Sequence, residues 1–138
     1  MPQAKLDHVI DSINVPAWVH ASFGGMVLLS TFAAMIWSGL RAITRKPFGW
    51  IGHALFILSQ AVLMVQALIG IKLLDQGHGP LQLYIHYVGG LAPLAFFLVY
   101  SWLPERVRAL RWTATLVSTA GFLFAVMAFF IGQSYVPS

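Results

Sequence analysis

The chain has 138 residues, 59% of them hydrophobic and only 9% charged, with a net charge of +4 and a mean hydropathy of +0.79. A water-soluble domain carries roughly 25% charged residues, so this composition excludes a globule solvated by water and makes lipid the solvent. The absence of cysteine excludes disulfides, thiolate metal sites and thiol catalysis, and basic residues confined to span ends and loops do not form a nucleic-acid-binding face.

In chain order, residues 1–15 come first. They contain Asp7 and Asp11 and lack an apolar core followed by a small-residue cleavage site, so no signal peptide is expected. Leu6, Val9, Ile10 and Ile13 recur at helical spacing, which predicts a short amphipathic helix lying on the outer membrane surface. A hydrocarbon core about 30 Å thick needs roughly 20 apolar helical residues. Four stretches meet that requirement, at about 17–40, 49–74, 81–103 and 110–131. Pro16, Pro47, Pro80 and Pro104 stand at their borders, where proline is tolerated. Pro93 lies inside the third span and predicts a kink there.

Loop charges give an orientation. Arg41, Arg45 and Lys46 lie between spans one and two, and Arg106, Arg108 and Arg111 between spans three and four, whereas the other side holds Lys5 and Lys72. The positive-inside rule places both basic loops in the cytoplasm and both termini outside, as for a multi-pass protein of a bacterial inner membrane. The expected fold is therefore all-α, a single integral membrane domain over 1–138 built as a four-helix bundle with an N-terminal interfacial helix.

Histidine inside hydrocarbon needs an account. His8 and His78 fall outside the spans, while His20, His53 and His86 lie within them. His20 follows Pro16 by four residues and His86 follows Pro80 by six, so the two differ in depth by only about 3 Å. His53 enters from the opposite side, about 33 Å from the outer end of its span, and cannot join them; it is expected to bond a backbone carbonyl or headgroup near Tyr100, Trp102 or Trp112. A glycine stands four residues after each paired histidine, Gly24 after His20 and Gly90 after His86, on the same helix face. Span two adds Gln66 and Gly70. Two imidazoles at one level on the first and third helices of a bundle suit axial ligation of one haem b iron, with the glycines leaving room for a flat macrocycle. Lys72, His78, Tyr84 and Tyr87 are candidate propionate partners. The bland reading makes the histidines interhelical hydrogen-bond partners and the glycines close-packing positions. Met26, Met35, Met64 and Met127 are read as packing.

The order His20, Gln66-Ala67-Leu68-Ile69-Gly70, His86 over spans one to three resembles one four-helix half of a haem A synthase, and more loosely a b561-type transmembrane b cytochrome. That resemblance implies haem held at the outer level by paired histidines. The chain departs from the synthase pattern in having four spans, no glutamate shortly before His20 and Ala21 where a basic residue often follows. The resemblance thus implies the haem pocket and not the synthase reaction.

Together these features lead to a b-type haem protein for electron transfer, or a haem-bearing subunit of a larger complex, exchanging electrons with a quinone or an outer carrier. Partners would be the bilayer and other membrane subunits or a second copy; nucleic acid is excluded. The runner-up is a cofactor-free accessory subunit of a respiratory or photosynthetic complex. A transporter ranks below both, because no ionisable relay crosses the spans. No nucleophile–base pair, paired carboxylates or phosphate-binding loop is present, so no catalytic activity of its own is expected.

Overall fold

The architecture comes from a computed structural model, which describes residues 11–77, 79 and 83–133. Four long helices, each apolar enough to cross a membrane, account for most of them. They are α1 (Ala17–Ile43), α2 (Gly49–Asp75), α3 (Leu83–Trp102) and α5 (Thr113–Gln133); α4 (Glu105–Arg108) is a single turn between the last two. Asp11 and Ser12 are helical. The rest of the expected amphipathic helix and the expected start of the third span at 81 lie outside the described residues.

Local signals explain the ends. Pro16 adopts an extended conformation as the N-cap of α1, where its missing N–H costs nothing. The end of α1 is a Schellman turn: Lys46 N–H donates to the Arg41 carbonyl and Arg45 N–H to that of Ala42. Gly77 closes α2 with a positive φ of 81°, a conformation glycine adopts without steric cost. The fourth span starts at Thr113 instead of about 110, because α4 and the following turn take up residues 105–112. The helix α3 runs on through Pro93, which is fully buried.

Helices α2 and α3 bury Phe56, Leu63, Phe97 and Tyr100, whereas the first and last long helices turn mostly small or hydroxylated residues inward at steps of three or four. Val27, Thr31, Ala34, Ser38 and Ala42 do so on α1, and Ala114, Ser118, Gly121, Ala125 and Ala128 on α5. Such a seam brings backbones close, which is how helices pack where no hydrophobic drive operates. Gly89 shows the closeness: a β-carbon there would lie 3.0 Å from the Ala128 β-carbon and 3.2 Å from the Phe124 carbonyl oxygen. Many large side chains face out, Leu29, Trp50 and Leu116 among them. That reversal of a soluble protein's distribution suits lipid as the surrounding medium. Ser38 and Ser118 hydrogen-bond across α1 and α5 at 2.9 Å. Gln60 of α2 donates to the Phe97 carbonyl and Ser101 hydroxyl of α3.

Neighbour relations follow the chain around a ring. Helix α1 packs on α2 and α5, and α3 packs on the same two, so α1 and α3 stand diagonally opposed. The α2–α3 seam is the least extensive of the four. One end of the bundle carries the two basic connections. The other carries the chain's entry into α1 and the α2–α3 connection, where the Gln76 side chain holds Val15 through both its backbone N–H and its carbonyl.

Candidate functional site

Diagonal placement brings the paired histidines together across the bundle. His20 enters from α1 and His86 from α3, and their ring centres stand 5.9 Å apart with planes inclined at 61°. Both border a cavity of about 430 Å³ at the end that carries the entry to α1, within the size range of small-molecule and cofactor sites. Gly24, Gln66, Gly70 and Gly90 line it too.

Each ring is held by a neighbouring helix, though through different atoms. His86 Nδ1–H donates to the Ala128 carbonyl at 3.0 Å, which leaves its Nε2 with a lone pair. His20 Nε2 lies 3.2 Å from the Gln66 side-chain amide, and its buried Nδ1 has no partner. The Gln66 Oε1 is likewise buried without a partner as the amide is oriented. Turning that amide over lets Oε1 accept from His20 Nε2–H, since the two amide ends are interchangeable in shape. In either orientation one nitrogen of His20 stays unpaired. A buried polar atom without a partner costs about 1–3 kcal/mol.

Glycines seat the rings. A β-carbon at Gly70 would lie 3.1 Å from His20 Cε1, and one at Gly132 would lie 2.9 Å from His86 Cε1. Gln66 and Gly70 on α2 thus correspond to Ala128 and Gly132 on α5, each pair four residues apart. In both helical hairpins a glycine four residues beyond the ring's hydrogen-bond partner lets the histidine lie close to the helix backbone. Of the glycines following the histidines, Gly90 faces open space, with nothing within 4 Å of a β-carbon built there. The corresponding atom at Gly24 would meet the Phe129 ring at 3.3 Å and the Gln66 amide at 3.5 Å. Space beside the histidines is therefore open on the α3 side and filled on the α1 side.

Other expected residues lie apart from the cavity. Lys72 pairs with Asp75 at 3.0 Å, and Tyr84 is 80% exposed; neither lines the cavity, whereas Tyr87 does. His78 lies outside the described residues. His53 sits at the opposite end, exposed, with its ring edge-on to Phe48 at 5.1 Å. Among the described residues no group of three or more His, Cys, Asp or Glu gathers to hold a metal, so a metal here would bring further ligands of its own. Sequence reasoning missed Ala128, Phe129 and Gly132. A backbone carbonyl has no residue-type signature, but the repeated spacing before Gly70 and Gly132 was there to find.

Comparison with known proteins adds nothing to this geometry. No protein-family model matches the chain, and neither does any curated protein or solved structure.

Proposed function

We propose that the chain is a membrane b-type haem protein, with His20 and His86 as the two axial ligands of one haem. The observation that carries this reading is the pair of opposed imidazoles, each with one nitrogen held by a neighbour and the other unheld. Two imidazoles that held one iron through facing nitrogens would have ring centres about 6 Å apart, taking about 2 Å for each metal–nitrogen bond. The rings here lie 5.9 Å apart. Edge-to-face aromatic pairs also occur at that separation; the unpaired His20 Nδ1 is what favours a ligand over simple contact.

Bound between the histidines, haem supplies a one-electron couple. Gln66 and the Ala128 carbonyl fix the tautomer and aim of the rings, as partners of metal-bound histidines do. Gly70 and Gly132 let the rings lie against the helix backbones, and Gly90 leaves room beside His86. The apolar wall excludes water and so tunes the potential. Ile71, Leu74 and Leu91 line the cavity and are also exposed on the outside of the bundle; apolar side chains at such a mouth suit electron exchange with a quinone from the bilayer. On the positive-inside rule this end faces outward. One haem at one level serves partners on that side or within a larger complex, and does not by itself carry electrons across the membrane.

Iron and haem content of the detergent-purified chain tests the reading. One haem per chain is expected in the wild type, with His20→Ala and His86→Ala each losing it or binding it far more weakly. Wild type devoid of haem after expression with haem supplied leaves the second reading. It is favoured by the Gln66–His20 contact: an accessory subunit whose histidines join helices.

A further inference from the structure

At the end of the bundle opposite the histidine pair lies a larger cavity, of about 840 Å³, between the α1–α2 turn and the α3–α5 connection. Arg41, Arg45, Lys46, Arg108 and Arg111 line it, five of the chain's eight basic residues. Glu105 is the one acidic residue on its wall. Among the described residues no carboxylate pairs with any of the five cations, the one ion pair being Lys72–Asp75 at the other end. Like charges gathered without counter-charges repel one another, so their convergence favours a bound anion.

Three details go beyond a basic rim of the kind membrane topology alone would give. First, two guanidinium groups are held in place by backbone carbonyls: Arg41 Nε donates to Pro47 O at 2.8 Å, and Arg111 Nε donates to Ala42 O. Each also stacks on a tryptophan, Arg41 on Trp37 and Arg111 on Trp112. Their terminal nitrogens are thereby pre-positioned, which lowers the ordering cost of binding. Second, Arg108 Nε is buried without a partner. Third, Arg45 holds a left-handed φ of 54° at the Schellman position where glycine is the usual residue. A side chain there is strained, and strain of this kind persists at functional sites.

We propose that this cavity binds a phosphate-bearing anion, with the Arg41, Arg108 and Arg111 guanidinium groups donating to its oxygens and Arg45 and Lys46 closing the rim. Planar guanidinium forks match phosphate oxygens in pairs. The same chemistry is offered by the headgroup phosphodiester of an anionic phospholipid, which basic pockets between transmembrane helices are known to hold, and by free phosphate. The site is independent of the histidine pair.

The test uses the full chain in dodecyl maltoside at constant ionic strength, with inorganic phosphate and with phosphatidylglycerol as separate probes. Chloride and phosphatidylcholine are the respective controls. Thermal unfolding and native mass spectrometry read binding, in the wild type, Arg108→Gln and Arg45→Gly. The wild type is expected to bind at least one probe over its control, and both variants at least tenfold more weakly. Arg45→Gly should at the same time melt higher than wild type without ligand, because glycine relieves the left-handed strain. A response to phosphatidylglycerol alone assigns the site to a lipid headgroup, and a response to inorganic phosphate alone to a soluble anion. Binding of neither probe above its control, or equal binding by wild type and a well-folded Arg45→Gly, overturns the proposal.

Discussion

Gly90→Ala separates the haem reading from a cofactor-free bundle more sharply than loss of a histidine does. Gly90 lines the histidine cavity, yet a β-carbon there meets nothing within 4 Å. Gly25 also meets nothing within 4 Å and lies off the cavity, which makes Gly25→Ala the matched control. In the protein alone each substitution relieves the helix of a glycine and should stabilise it by about 0.5–1 kcal/mol. With a macrocycle beside His86, the methyl group at position 90 intrudes on occupied volume. Overpacking costs typically 1–3 kcal/mol, or about 5- to 150-fold in affinity. Haemin titrated into the apo-protein and followed at the Soret band gives that affinity, and thermal unfolding of the apo forms gives the stability. Gly90→Ala should bind haem more weakly while its apo form melts at or above the wild-type temperature. If Gly90→Ala and Gly25→Ala bind haemin equally well, the open space beside His86 does not house the macrocycle.

Further outcomes follow from named contacts. Gly132→Ala sets a methyl group 2.9 Å from His86 Cε1 and should weaken the Ala128 hydrogen bond, costing about 1–3 kcal/mol of apo stability by thermal unfolding; no change would mean the ring is not seated there. Gln66→Ala removes the partner of His20 and should lower haem affinity by about 10- to 100-fold, the usual effect of losing such a partner. Gly52→Ala meets the Phe48 ring at 2.6 Å and should destabilise the basic end by about 1–3 kcal/mol, with haem affinity unchanged. Gln76→Ala deletes the acceptor of the Val15 amide and should accelerate its hydrogen exchange several-fold or more, against unchanged exchange inside α1.

Much of the fold was legible because lipid imposes a single rule: backbone must be satisfied within each span. Apolar length alone therefore found the four helices, within about three residues at most ends. The α4 turn escaped notice because residues 105–112 are too few and too charged to carry a helical period. The ring order that opposes α1 and α3 comes from the packing and not from the sequence. Matched depth and glycine spacing singled out His20 and His86 as a pair, and the two rings do meet. The holding contacts were less legible. Lys72 was read as reaching the site, but Asp75 three residues on captures it. Gly24 was read as open space, but Phe129 of α5 fills it, and no local pattern reports a side chain arriving from a distant helix. The cluster of loop arginines was read for orientation alone, since convergence on one cavity appears only once α1 and α5 lie side by side.

The central claim is that both histidines take one iron, and the absorption spectrum of the purified wild type, ferric and dithionite-reduced, tests it most directly. A Soret band with sharp reduced α and β bands of a six-coordinate low-spin haem is expected, lost or converted to a high-spin form in His20→Ala and in His86→Ala alike. A colourless protein, or a haem spectrum unchanged in either variant, would contradict it.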